Sequence, residues 1–246
     1  MKIRIKFAKQ GAMKFIGHLD VMRYFQKAIR RADVDIRYSE GFSPHQIMSF
    51  AAPLGVGLTS NGEYLDIDVH STDSSREMVD RLNKAMVEGF QILSYRRLPE
   101  EAKNAMSLVE TADYTLVFRD GYEPEDLEEF FQSLKSFYDQ ESIVVTKKTK
   151  KGERELDLKP LIYKMKWGEV QRESGKPCIF MRVSTGSSDN LKPEMVMEAC
   201  FQFMGKELQP FTFQVQREEV YGPDFVPLED FGAEIEADEV SNEMCI

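Results

Sequence analysis

Three histidines occur in the chain, and two of them, His18 and His45, sit beside glycine or proline in "FIGHLD" and "FSPHQ". If the 39–61 segment folds over the start of the helix that begins near Asp20, then His18, Asp20, Glu40 and His45 form a polar cluster at a helix N-terminus. Such a cluster suits an anion or phosphate. An imidazole there could also act as a general acid or base, which makes His18 and His45 the candidate catalytic residues. The competing reading is local: turn histidines commonly bond nearby backbone, and this carries more weight than catalysis. No nucleophile stands at a recognised spacing from either residue. Neither an i, i+4 histidine pair nor a Cys/His cluster is present, so no metal site and no cofactor are expected. Cys178, Cys200 and Cys245 are odd in number and far apart, which speaks for buried thiols rather than a disulfide framework.

The segment "SEGFSPHQIMSF", residues 39–50, is too elaborate for a simple hairpin connection and is expected to form one wall of a ligand-binding cleft. Its Glu40, Phe42, His45 and Phe50 are assigned to substrate binding together with His18 and Asp20. Arg23, Lys27, Arg37 and Tyr38 supply basic and aromatic groups for the same site. Gly55 and Gly57 allow close approach of backbone or ligand, but the phosphate-loop pattern is absent. Arg4, Lys6, Tyr64 and Tyr95 add basic and aromatic types to the strands themselves, as single-stranded RNA binding on an open sheet would require. The basic run "KKTKKGER", residues 147–154, reads as a solvated hairpin tip.

The elements that must position these groups follow from periodicity. "KIRIKFA" alternates basic and apolar residues, the period of a half-buried strand. From Asp20, Val21, Met22, Phe25, Ala28, Ile29 and Ala32 recur at helical spacing, with Arg23, Lys27, Arg30 and Arg31 on the other side. "DVDIRY" and "EYLDIDV" read as strands, "STDSSREMVDRLNKAMVEGF" as a capped helix and "QILSYRRL" as a strand. The order strand, helix, strand, strand, helix, strand predicts an α+β, ferredoxin-like (split βαβ) domain over residues 1–98. After a helical connector at 99–112 the order returns. "ADYTLVFR", "EPEDLEEFFQSLKSFY", "SIVVTKK", "CIFMRVS", "KPEMVMEACFQFM" and "FTFQVQREEV" predict a second ferredoxin-like domain over 113–221, with an insertion at 148–177.

Charge is unevenly spread along the 246 residues. Residues 1–50 hold ten Lys/Arg against four Asp/Glu, whereas Glu218 to Ile246 holds ten acids and no base, within a net charge of −10. A basic front suits a polyanion. The acidic end, 222–246, is expected to be a flexible tail. No apolar run approaches the ~20 residues of a membrane span, and the N-terminus lacks a signal-peptide core, so a cytoplasmic protein with no membrane partner is expected.

The motifs "FIGHLD", "AIRRA", "YSEGFSPH", "SFAAPLGVG" and "GEYLDI", with "ADYTL" and "ELDLKPLI" further on, resemble the uncharacterised radical-SAM-linked family of bacterial proteins. These are encoded beside, or fused behind, a radical SAM protein. The resemblance covers about residues 2–220, with Gln46 in place of a second proline after His45. It implies a radical SAM protein as partner, and the family's gene neighbours imply a link to RNA or a ribosomal component. The chain itself lacks the Cys-x-x-x-Cys-x-x-Cys cluster motif. An accessory, non-catalytic binding protein is therefore the favoured expectation. The alternatives are a metal-independent RNA-processing enzyme using histidine acid/base chemistry, and a protein–protein scaffold acting through the acidic tail.

Overall fold

Alternation along the first strand puts Ile3, Ile5 and Phe7 on one side and Lys2, Arg4 and Lys6 on the other, and the apolar set is fully buried. The computed structural model of the chain describes residues 1–149, 152–170, 175–186 and 190–237. It divides into two units, Met1–Glu110 with Glu219–Ile246, and Thr111–Glu218. The architecture is α+β with mostly antiparallel strands.

The first unit runs β1 (Lys2–Lys9), α1 (His18–Arg31), β2 (Met48–Phe50), β3 (Thr59–Asp68), α2 (Ser75–Ala85), β4 (Phe90–Arg97) and the single turn α3 (Ala105–Leu108). Strand β1 pairs antiparallel with β3 on one side and β4 on the other, and β2 pairs antiparallel with β3, giving the order β4-β1-β3-β2. One apolar stripe of α1, Val21, Phe25, Ala28 and Ile29, is buried. A reciprocal capping box between Ser74 and Glu77 starts α2, which buries Met78 and Leu82. Aromatic rings fill the centre: Phe25 lies 4.5 Å from Phe7, 5.5 Å from Phe90 and 5.7 Å from Phe50, centroid to centroid.

The second unit runs β5 (Thr111–Phe118), α4 (Leu127–Tyr138), β6 (Val144–Thr149), β7 (Gly152–Asp157), β8 (Ile162–Val170), β9 (Pro177–Ser184), α5 (Pro193–Phe203) and β10 (Phe213–Tyr221), whose last residues belong to the first unit. Its strand order is β10-β5-β9-β8. The α4 residues Phe130, Leu134 and Phe137 and the α5 residues Val196, Met197 and Cys200 supply its core.

Several expectations need correction. "DVDIRY" makes only isolated bridges, Ile36 to Val69 and Tyr38 to Gln46, and the strand at that place in the order is β2, three residues inside the 39–61 segment. "SIVVTKK" pairs only with β7 in a separate hairpin; the strand next to β9 is β8, inside the segment taken as an insertion. The tip residues 150 and 151 of that hairpin lie outside the described residues. The 99–112 connector is helical for one turn only.

The largest correction concerns the acidic segment. Up to Ala237 it is no flexible tail but a strap that meets the polar face of the first unit's sheet, pairs with β4 at Ala233 and enters the apolar core at Ile235. Leu228 and Ile235 are buried, and backbone bonds link Ala233 to Arg97 and Ile235 to Ser75. The expected flexibility took these acids for solvated groups, but sheet cations face them. Lys6 Nζ lies 2.5 Å from Glu219 and 2.6 Å from Glu229, and Arg96 lies 3.1 Å from Asp230. Arg4, fully buried, binds Asp66 through two nitrogens at 2.8 and 2.9 Å and donates to the Leu228 carbonyl at 2.9 Å. Residues 238–246 lie outside the described residues.

Burial alone would raise the Glu229 carboxyl, but the Lys6 hydrogen bond and the charges of Lys6 and Arg96 hold it below its ordinary value of 4.5. The strap therefore gains stability from this contact above pH 4.5, and loses it as pH falls through the lowered folded value. Thermal melts across this range should show a smaller acid-induced loss in Glu229→Gln than in the wild type. Equal losses would remove the contact from the account.

Candidate functional site

Residues 37–47 form a hairpin that leaves the sheet at β2. Ile47 N donates to Arg37 O at 2.9 Å, and Ser39 N donates to His45 O at 2.8 Å. Gly41 turns the tip with φ 109°, a conformation that side chains disfavour. Ser39 Oγ and His45 Nδ1 are 2.8 Å apart, and His45 N donates to the same oxygen at 3.1 Å. His45 thus latches the mouth of its own turn, the local role set against catalysis above.

His18 has a different setting. It is the first residue of α1, and its ring meets the Phe50 ring edge-on at 5.2 Å. Gln46, next to His45, donates instead to the carbonyl of Gln26 at 3.3 Å. Gln26 is eight residues along α1 from His18, about 12 Å at ~1.5 Å per residue. The hairpin stem is seated along the body of the helix rather than at its N-terminus. The expected cluster of His18, Asp20, Glu40 and His45 does not assemble through these contacts. Asp20 makes only an exposed 3.5 Å pair with Arg23, and among the described residues neither His18 nor His45 has a carboxylate partner.

Phe50 leaves the expected binding set as well: it is a core residue, 7 % exposed, against Phe7 and Phe25. The sheet-face residues are likewise committed. Arg4 is enclosed, Lys6 is held between two carboxylates, and Tyr64 Oη donates to Glu219 at 2.7 Å. Burial first, then the Glu219 charge, raises the Tyr64 hydroxyl above the ordinary tyrosine range. Tyr95 is buried with its hydroxyl 2.8 Å from that of Thr72. An open aromatic sheet face of the kind expected from the sequence is absent among the described residues of this unit.

What the fold does assemble lies on α1 and the hairpin. Arg23, Lys27 and Arg30 follow i, i+4, i+7 spacing and form one exposed basic stripe. Arg30 Nε donates to the Gln26 carbonyl at 3.2 Å, the same atom that receives Gln46. That shared acceptor joins the stripe to the hairpin stem. On the hairpin, Phe42 is fully exposed and Tyr38 is 48 % exposed. Lys27 and Arg37 make no side-chain hydrogen bond or ion pair with any described residue, so their charges are uncompensated. Arg31, by contrast, packs over Tyr24 and donates to the Ala85 carbonyl, a helix-to-helix contact. Arg30 was not among the expected site residues; its i+7 relation to Arg23 was visible, but its convergence with Gln46 was not.

The arrangement offers cations and exposed rings. The two described cysteines, Cys178 and Cys200, are buried, and burial pushes the Cys200 thiol up to about 12. Among the described residues, no cluster of His, Cys, Asp or Glu could hold a metal ion, and no helix is long and apolar enough to cross a membrane.

Residues 2–193 match the family described as "Uncharacterized protein conserved in bacteria (DUF2344)". The chain belongs to this family. No curated protein matches it. A solved chain in the crystal structure of a Cbf5-Nop10-Gar1 complex is similar at 11 % identity and a TM-score of 0.46, over 90 % of this chain and 50 % of that one. The chain thus spans about half the length of that relative.

Proposed function

We propose that this DUF2344 family member is an accessory binding protein that takes single-stranded RNA, or an RNA of the ribosome, along α1 and the 37–47 hairpin on behalf of a radical SAM partner. The observation that carries the reading is the Gln26 carbonyl shared by Arg30 and Gln46, which joins the hairpin that bears the exposed Tyr38 and Phe42 to the basic stripe of α1. Cations that track a phosphate backbone and rings on which bases stack are the two elements of single-strand binding. Arg23, Lys27, Arg30 and Arg37 supply the first, and Tyr38 and Phe42 the second. Glu40 and His45 flank them on the hairpin tip, where Glu40 opposes a polyanion and His45 fixes the turn.

In this reading the two units are tandem ferredoxin-like domains, since each strand order follows the 4-1-3-2 pattern of that fold, and the protein works in the cytoplasm. The radical SAM partner rests on the resemblance in the sequence motifs. With about four phosphate contacts, fluorescence anisotropy against single-stranded RNA should give a log–log salt slope of about −3. An affinity that does not change with salt, or no binding, rules the reading out.

A further inference from the structure

A cavity of about 260 Å³ lies on the polar side of the first unit's sheet, between β1, β2, β3 and the 98–104 segment. Hydrogen bonds to the strands fix its frame. Lys2 Nζ donates to the carbonyls of Glu100 at 3.0 Å and Ala102 at 3.2 Å. Asp66, already paired with Arg4, accepts from Ala105 N at 2.7 Å, and Asn104 Nδ2 donates to Ser49 Oγ at 3.1 Å. Each of these groups ties the segment to a strand.

Two charged groups in the lining are left over. The Asp68 carboxylate and the Lys103 ammonium make no hydrogen bond or ion pair with any described residue, although both border the cavity. Asp68 stands directly across from Lys2 in the β1–β3 register, yet the Lys2 ammonium is spent on the two carbonyls. The remaining wall is apolar, with Ile47, Met48, Leu98 and Ala102. The volume falls below the ~300–1,000 Å³ of pockets for drug-sized ligands.

We infer that this cavity binds a guanine base. The edge of guanine presents two parallel donors, N1–H and N2–H, beside the O6 acceptor. A free carboxylate has two acceptor oxygens for the donors, and a free ammonium has a proton for O6. The flat ring then lies among Met48, Leu98 and Ala102. Adenine would turn its N1 lone pair toward the carboxylate, and uracil offers one ring N–H between two carbonyls. Neither analogue can satisfy the carboxylate and the ammonium together, so the site favours guanine.

The base can come from a free guanine nucleotide or from an RNA strand, and neither source requires the α1 interface. Isothermal titration of the full chain with guanosine monophosphate, adenosine monophosphate, and short RNAs with and without one guanine tests the inference. Guanine-containing ligands should bind at least tenfold tighter than their adenine counterparts. Asp68→Asn, checked for unchanged circular dichroism, should lose that preference, and the exposed Lys103→Ala should lower it severalfold. A preference seen with the mononucleotide assigns a free nucleotide, and one seen only with RNA assigns a strand; both support the site. Equal binding of guanine and adenine ligands, no saturable binding of either, or a preference unchanged in Asp68→Asn overturns it. Replacing Arg23 and Lys27 should leave mononucleotide binding as it is, so failure here and failure of the α1 reading are separable.

Discussion

Truncating the chain after Tyr221 is expected to lower the melting temperature of the first unit by roughly 10–20 °C, because Leu228 and Ile235 each contribute about 1.5–3 kcal/mol by burial. The same cut removes the Leu228 carbonyl from Arg4 and Glu229 from Lys6, and opens both cations to water. Glu219 stays, so Lys6 and Tyr64 keep one carboxylate. Against a typical total of ~5–15 kcal/mol, the loss is a large share of stability. Leu228→Ala and Ile235→Ala should each reproduce part of it in thermal melts. A truncated chain that melts with the wild type would mean that the strap is not part of the folded unit.

The second large effect is on binding. Replacing Arg23, Lys27 and Arg30 together by glutamine should weaken single-stranded RNA binding by on the order of 100-fold at low salt, and bring the salt slope close to −1. All three side chains are exposed, and the apolar stripe of α1 is untouched, so the melting temperature should hold within a few degrees. Phe42→Ala should act differently. It removes a stacking surface worth about 1–3 kcal/mol and leaves the slope as it was. Equal RNA affinity in the triple variant and the wild type would place binding elsewhere on the chain.

How much of this was legible in the sequence depends on whether the signal was local. Strand β1 and helix α1 declare themselves because Ile3, Ile5, Phe7 and the Val21, Phe25, Ile29 series keep a strict period over several residues. Strand β2 has three residues and no room for a period, so the stretch before it, "DVDIRY", reads as the strand instead. In the second unit "SIVVTKK" is richer in β-branched residues than "IYKMKWGEV", but strand order is decided by tertiary pairing, which gives β8 the place beside β9. The acidic strap was hidden for a similar reason. Leu228 and Ile235 are too far apart to form a pattern, and the partners of Glu229 and Asp230 are strand residues more than a hundred positions away.

The site followed the same rule. The residue types at Arg23, Lys27, Arg37, Tyr38 and Phe42 pointed to a polyanion surface, and the fold joins the helix and the hairpin that carry them through Gln26 and Gln46. Sequence could not say that Gln46 would reach Gln26 rather than bring His45 to His18, because that depends on where the hairpin leaves the sheet. Nor could it say that Arg4, Lys6 and Tyr64 would be covered by the chain's own acidic end. In the proposed reading the exposed surface of α1 and the hairpin takes the place of an open sheet face.

The most direct measurement is ultraviolet crosslinking of the full chain to a single-stranded RNA, with the adducts mapped by mass spectrometry. The account predicts adducts on the 37–47 hairpin, at Tyr38 and Phe42, that disappear in the Arg23, Lys27 and Arg30 triple variant. Adducts on Tyr64, or confined to residues 111–218 while the hairpin stays unmodified, would contradict it.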